Sequence, residues 1–284
     1  MRQADKGGHE HPRSATQDTA PRQVADRRRV SAGLIDALRG ARVYDLEQPR
    51  YAGAPVFPVH EPGLLLKLHR RHEPGLGEAR TGASALLVMA EHAGTHIDAL
   101  CHQAEDMQMY GGIAVDSSVQ TPEGFTELGM ETVAPLIARG VLLDVSQAGH
   151  EVSAGDLEQA AGDIEIGPGD VVLVRLGSGA LWADRLAYEA AGGIGADGSR
   201  WLAERSPLAV GADNIAWDVP GLRDPELGTL PGHTLLIVRA GIHIIESLYL
   251  EDLARDGVRE FAFVCLPLKL RGGTGSPVRP LALV

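Results

Sequence analysis

Five short apolar runs constrain the fold of this chain more than any other feature. They are Gly140–Val145, Val171–Leu176, Leu208–Ala212, Ile242–Ile245 and Phe261–Leu266. Such runs, interrupted only by Asp144, Arg175 and His243, fit strands buried on both faces and are too short for buried helices. Helical patterns alternate with them. Ser153–Ala161 opens on Ser153 with Asp156 three residues on, which is an N-terminal capping pattern. Asp197–Glu204, His233–Ala240 and Leu250–Asp256 read as helices, and Gly167-Pro168-Gly169-Asp170 as a turn. Strand–helix alternation of this kind predicts an α/β chain.

The first half is less regular. Arg42–Leu46 reads as a strand, Ala54–Pro58 as an extended segment between prolines, and Ser84–Ala90 as an apolar strand. Residues 60–82, rich in charge, His, Gly and Pro, read as a long loop, and Pro277–Val284 as an extended end. Residues 1–30 are polar and read as a flexible tail, with His9 and His11 solvated in it, because they cannot bury enough apolar surface to offset their ordering entropy. Residues 31–284 then form a single domain.

Composition excludes several classes of function. Asp plus Glu outnumber Lys plus Arg by 38 to 26, for a net charge of −12, so no basic field exists for nucleic acid or an anionic membrane. Aromatic residues are only 4 %, so Leu, Val, Ile and Ala must build the core. No apolar run reaches the roughly 18 residues of a membrane-spanning helix. Residues 1–30 lack Leu, Ile and Phe, and the stretch after Arg27-Arg28-Arg29 is interrupted by Asp36 and Arg39, so no export signal is read and the expected compartment is the cytoplasm. Two cysteines, Cys101 and Cys265, exclude a disulfide scaffold. No fixed-period repeat and no Gly-rich phosphate loop is present.

The chemistry gathers in one segment, Glu91-His92-Ala93-Gly94-Thr95-His96-Ile97-Asp98-Ala99-Leu100-Cys101-His102. Imidazole and carboxylate are the usual ligands of catalytic zinc, manganese or iron. The His92/His96 spacing would suit one helix face, but Gly94, Thr95 and Ile97 are poor helix formers. In an extended segment His96 and Asp98 point to one face, and a bend at Gly94 brings His92 onto it. The result is a two-His, one-carboxylate group with open positions, and the carboxylate can bridge two ions. Cys101 faces away from His102 in such a strand, which argues against a thiol nucleophile.

The string His-x-Gly-Thr-His-x-Asp-x-x-x-His resembles the signature of the cyclase family of metal-dependent hydrolases, which includes bacterial kynurenine formamidase and isatin hydrolase. Pro55-Val56-Phe57-Pro58 resembles the family's early pocket-lining segment, Gly167–Leu176 its turn and central strand, and Gly195–Asp213 its helix-to-strand unit. His233–Leu248 resembles its late His-to-Glu element, and Pro267–Leu270 with Ser276–Arg279 its C-terminal signature. The resemblance spans about Val43 to Val284.

It implies a swivelling β/β/α fold, with a mixed sheet or open barrel flanked by helices. It implies His92, His96 and Asp98 as ligands of one or two Mn²⁺ or Zn²⁺ ions, His102 as the acid/base, and His233 and Glu246 completing the site. It implies a homodimer or homotetramer acting on a small amide, a cyclic amide of the isatin kind or a formamide. An arylformamidase, a lyase or cyclase using the same ion, and a non-catalytic metal-binding protein are the alternatives. The His233-to-Glu246 interval and the absence of a proline after Ala99 point away from the formamidase form.

On their own terms, Glu246 sits in an apolar strand where an unpaired carboxylate is costly, while His233 reads equally well as an ordinary helix-start residue. Phe57 and Trp217 are the candidates for substrate contact, and Trp182 and Trp201 read as structural. Met107, Met109 and Tyr110 offer either an apolar wall or core filling. His60, His69 and His72 read as a solvated loop face, and His150 and His243 as surface or packing residues.

Overall fold

The computed structural model describes residues 32–75 and 77–284, so the expected tail lies outside the described residues. Met1–Gly40 and Ala41–Val284 are separate units, and helix α1 (Ala32–Gly40) belongs to the first. In the second, the chain runs through β1 (Val43–Asp45), β2 (Leu64–Arg70), β3 (Ser84–Met89) and β4 (His96–Asp98). There follow β5 (Leu136–Asp144), α2 (Ala154–Ala161), β6 (Val171–Arg175), α3 (Ala196–Arg205) and β7 (Ala209–Ala212). A helical segment, Pro231–His233 continuing as a π-helix over Thr234–Ala240, leads to β8 (His243–Glu246), α4 (Glu251–Arg255), β9 (Glu260–Cys265), β10 (Gly275–Pro277) and β11 (Leu281–Leu283).

Nine strands form one mixed sheet, ordered β1-β11-β9-β5-β6-β7-β8-β4-β10 and curled into a half-barrel. β5, β6, β7 and β8 are parallel, and each step between them crosses through a helix, as parallel neighbours require. The apolar runs predicted as buried strands supply these four and β9. Side chains alternate between two cores. Leu142, Val171, Leu173 and Ala209 enter one core, with Phe261 and Phe263. Val141, Leu143, Val172, Val174 and Val210 enter the other, beneath Leu157 of α2 and Leu202 of α3.

Local chemistry sets the element ends. Ser153 caps α2 by a reciprocal bond with Asp156, as the sequence predicted. Asp213, directly after β7, accepts the backbone N–H groups of Leu176, Gly177 and Gly179 at 2.7, 2.9 and 3.1 Å, tying down the end of β6. The expected long loop over 60–82 is corrected: Leu64–Arg70 is a strand paired antiparallel with β3. Its Leu-Leu-Leu-Lys-Leu run lacks the period-2 alternation that marks a strand in sequence. Both cysteines are buried and free. No helix among the described residues is long and apolar enough to cross a membrane.

Candidate metal centre

β4 is three residues long and fully buried, and its alternation sorts the cluster. Ile97 enters the hydrophobic core, which leaves His96 and Asp98 on the opposite face. Glu246 of β8 stands opposite His96 in antiparallel register, so the pairing brings an imidazole and a carboxylate together. Gly94, at φ +64°, turns His92 back over the strand. A Cβ at this position would lie 2.8 Å from Nη1 of Arg50, which donates to the carbonyls of Ala93 and Thr95 and so holds the turn. His233 arrives at the start of the helical segment leading to β8.

These side chains converge. His92 Nδ1 lies 2.9 Å from Asp98 Oδ1. His96 Nε2 lies 3.5 Å from Asp98 Oδ1 and 3.4 Å from Glu246 Oε2. His233 Nε2 lies 3.3 Å from Glu246 Oε1 and 3.7 Å from Asp98 Oδ2.

Each imidazole is fixed through its other nitrogen. His96 Nδ1 is 2.7 Å from the Gly94 carbonyl, which can only accept, so Nδ1 carries the proton and Nε2 keeps its lone pair. His233 Nδ1 donates to Asp218 Oδ2 at 2.7 Å, and the same carboxylate accepts the backbone N–H groups of Gly232 and His233. His92 Nε2 is 2.9 Å from Thr274 Oγ1. That hydroxyl gives its proton to Glu91 Oε2, so it must accept from His92, leaving the Nδ1 lone pair toward Asp98. Hydrogen-bonded imidazoles presenting a free nitrogen to a shared carboxylate are what a metal site requires of its supporting residues.

The residues present fit a divalent ion. Nδ1 of His92, both oxygens of Asp98 and Oε1 of Glu246 are fully buried without a hydrogen-bond partner. Each such orphan costs about 1–3 kcal/mol, a cost that a shared cation removes. Two overlapping donor sets, His92-His96-Asp98 and Asp98-His102-His233, have their ligand atoms within 4.8 Å of one another. Asp98 belongs to both, so it can serve one ion or bridge two.

The charges follow from burial and proximity. Burial pushes His96 and His102 down to about 3, so both are neutral at pH 7. Burial also works against His92, but the carboxylate of Asp98 beside it, with Glu246 and Glu91 behind, outweighs this and raises it. Burial would raise Asp98, yet His102, His92 and His96 hold it well below the usual carboxylate range. Glu246 is pushed up to about 7 by burial.

Two imidazoles complete the surroundings. His102 stacks on His92 at 4.0 Å between ring centroids and lies 6.0 Å from His233. His60, expected on a solvated loop face, instead stacks on His92 at 4.7 Å from a 3₁₀ turn, Pro58–His60. No spacing in the sequence signals this return. Phe57, just before that turn, is half-buried against the Trp182–Tyr188–Ile215 cluster. Trp217 has no exposed surface. Its indole N–H donates to Ser199 Oγ at 3.1 Å, and its ring packs beneath Gly232, so it supports His233 from below. Met109 fills the core, Met107 is exposed, and Tyr110 covers Gly241. His69 and His72 lie on the exposed hairpin, and His243 donates from Nδ1 to the Asp98 carbonyl. Burial pushes the Cys101 thiol up to about 12, so it is no thiolate nucleophile.

Comparison with known proteins gives consistent relatives. Residues 44–219 match the family model named Cyclase. The chain is 27% identical over 250 residues to the kynurenine formamidase of Sphingopyxis alaskensis, covering 85% of this chain and 97% of that protein. Among solved structures, one described as a novel cyclase superposes with a TM-score of 0.76 at 28% identity, covering 88% of this chain and 89% of the other. Isatin hydrolase A from Ralstonia solanacearum superposes with a TM-score of 0.69 at 25% identity, covering 89% and 96%.

Proposed function

Because the chain belongs to the cyclase family, we propose that it is a metal-dependent hydrolase cleaving the C–N bond of a small non-peptide amide. The substrate class is a cyclic amide of the isatin kind, with an aryl formamide as the alternative. His92, His96 and Asp98 hold a divalent ion, Mn²⁺ or Zn²⁺, and His233 and Glu246 complete the site toward a second ion or the substrate. The observation that carries this reading is the set of three imidazoles, each locked through one nitrogen and each turning the other toward buried carboxylates.

A divalent ion bound there acidifies water and polarises a carbonyl, the two requirements of amide hydrolysis at neutral pH. The chain's own residues supply position and proton transfer. Asp218, Thr274 with Glu91, and the Gly94 carbonyl set the tautomers. His102 has no side-chain hydrogen bond among the described residues, and burial keeps it in the neutral form that accepts a proton. It takes one from the attacking water and returns it to the leaving nitrogen. Phe57 lines the substrate side, and Trp217 acts from beneath as the floor under His233. The same reading takes the cytoplasm as compartment and a homo-oligomer as the working form.

Elemental analysis of the purified protein, with a turnover screen of isatin, cyclic imides and N-formyl aromatic amines, tests the proposal. Chelation should abolish turnover, Mn²⁺ or Zn²⁺ should restore it, and H₂¹⁸O should label the new carboxylate. Full turnover by a verified metal-free protein refutes it. Unlabelled product redirects it to a lyase or cyclase, and bound metal without turnover of any of these substrates to a binding protein.

A further inference from the structure

Arg50 reaches the metal segment from 43 residues upstream of Ala93 and belongs to neither donor set. A guanidinium carries five N–H donors, and five acceptors stand around this one. Nε donates to Glu47 Oε1 at 2.6 Å. Nη1 donates to the Ala93 carbonyl and, at 3.8 Å, to the Met89 sulfur. Nη2 donates to the Thr95 carbonyl and, at 3.2 Å, to that of Val278. The side chain is only 16% exposed, so water is a poor substitute for these partners. A lysine has three donors on one point charge and cannot match a planar array of this kind.

The carbonyls alternate across the turn. Those of Ala93 and Thr95 go to Arg50, while the Gly94 carbonyl between them turns to His96 and accepts its Nδ1–H at 2.7 Å. Arg50 thus fixes the peptide groups on both sides of the one that carries the Gly94 carbonyl, and so aims that carbonyl at the His96 ring. Taking the proposed metal site as given, we infer that Arg50 is a positioning residue for the ion. Through the Gly94 carbonyl it keeps the His96 proton on Nδ1 and the Nε2 lone pair toward Asp98 and Glu246.

The same fork ties the turn to the edge of the sheet. Val278 donates its N–H to the Thr95 carbonyl at 3.1 Å, directly beyond the β4–β10 ladder. Arg50 takes up the carbonyls of both residues, closing the ladder where His96 begins β4. The Thr95 hydroxyl has anchors of its own, the Gln48 N–H at 2.9 Å and the Ser247 carbonyl at 2.6 Å. Loss of Arg50 therefore frees the backbone carbonyls of the turn without unseating the strand.

Zn²⁺ affinity by chelator competition, with ring ¹⁵N shifts of His96 in the metal-free protein, tests this. In Arg50→Ala the affinity should fall about 10- to 100-fold, as it does when other groups that orient a ligand are lost. The His96 shifts should at the same time lose the pure Nδ1-protonated form. Added guanidinium ion should restore both, added ammonium ion neither, and Arg50→Lys should fall nearly as far. A folded Arg50→Ala protein that binds Zn²⁺ within twofold of wild type overturns the proposal. So does an unchanged His96 tautomer, whatever the affinity. A wild-type protein that binds no Zn²⁺ overturns the metal reading itself, while the tautomer still decides the role of Arg50. Should neither variant fold, the Arg50 N–H protons of the wild-type protein decide: slow exchange supports the proposal and free exchange overturns it.

Discussion

Replacing Asp218 with Asn removes one charge and little volume, yet it should loosen the metal site without touching a ligand. Asp218 has three donors aimed at it: the N–H groups of Gly232 and His233, and Nδ1–H of the His233 ring. A carboxylate accepts all three. An asparagine has one accepting oxygen and must aim an NH₂ at a remaining donor, with no exposure to relieve it. The His233 ring then loses the bond that keeps its proton on Nδ1, and the Nε2 lone pair facing Asp98 and Glu246 is no longer guaranteed. Loss of such a supporting carboxylate weakens metal binding by about 10- to 100-fold, which is roughly 1.4–2.7 kcal/mol. Competition against a chromophoric chelator measures the affinity, and ring ¹⁵N shifts of His233 report the tautomer. An affinity within twofold of wild type, with the ring still protonated at Nδ1, refutes the argument.

Three further outcomes are expected. Asp213→Asn should destabilise the fold by about 2–3 kcal/mol in urea unfolding, because its amide would oppose one of three backbone donors at the end of β6. His60→Ala should lower kcat/KM several-fold while elemental analysis finds the metal content unchanged, since His60 stacks on His92 without joining the candidate donor sets; unchanged turnover would make it a bystander. Burial pushes the thiols of Cys101 and Cys265 up to about 12, so both should resist Ellman's reagent in the native protein at pH 8 and react in denaturant. The unfolded chain releases these protons from about pH 8.5, the folded chain only near 12. Over that window the unfolded state binds fewer protons, and their contribution makes stability fall as pH rises, which melting curves at increasing pH can check.

The sequence carried the parallel strands because each is a short, mostly apolar run, and it carried the 92–102 segment because its donors are near neighbours in the chain. Its reading of His233 and Glu246 leaned on resemblance; register pairing explains them, since Glu246 meets His96 only once β8 lies against β4. Thr274 and Asp218 were invisible for the same reason. They act on imidazoles 182 and 15 residues away, through contacts no local pattern encodes. Of the β2–β3 hairpin, β3 was expected from the apolar run Ser84–Ala90, whereas β2 was missed because Lys67 interrupts its leucines and the run continues into the charged, His-rich residues 69–73. Trp217, between Ala216 and Asp218, carries no local sign that its ring is fully buried beneath Gly232.

The position of β4 in the sheet has a consequence for synthesis. This strand is held between β8 and β10, so His96 must await Glu246 on one side and Pro277 on the other. A ribosome adding 5–20 residues per second leaves the histidine cluster without those neighbours for roughly 10–40 s. During that interval the nascent segment is an open chelating peptide, and any cation it captures early must be given up or reseated when the last strand docks.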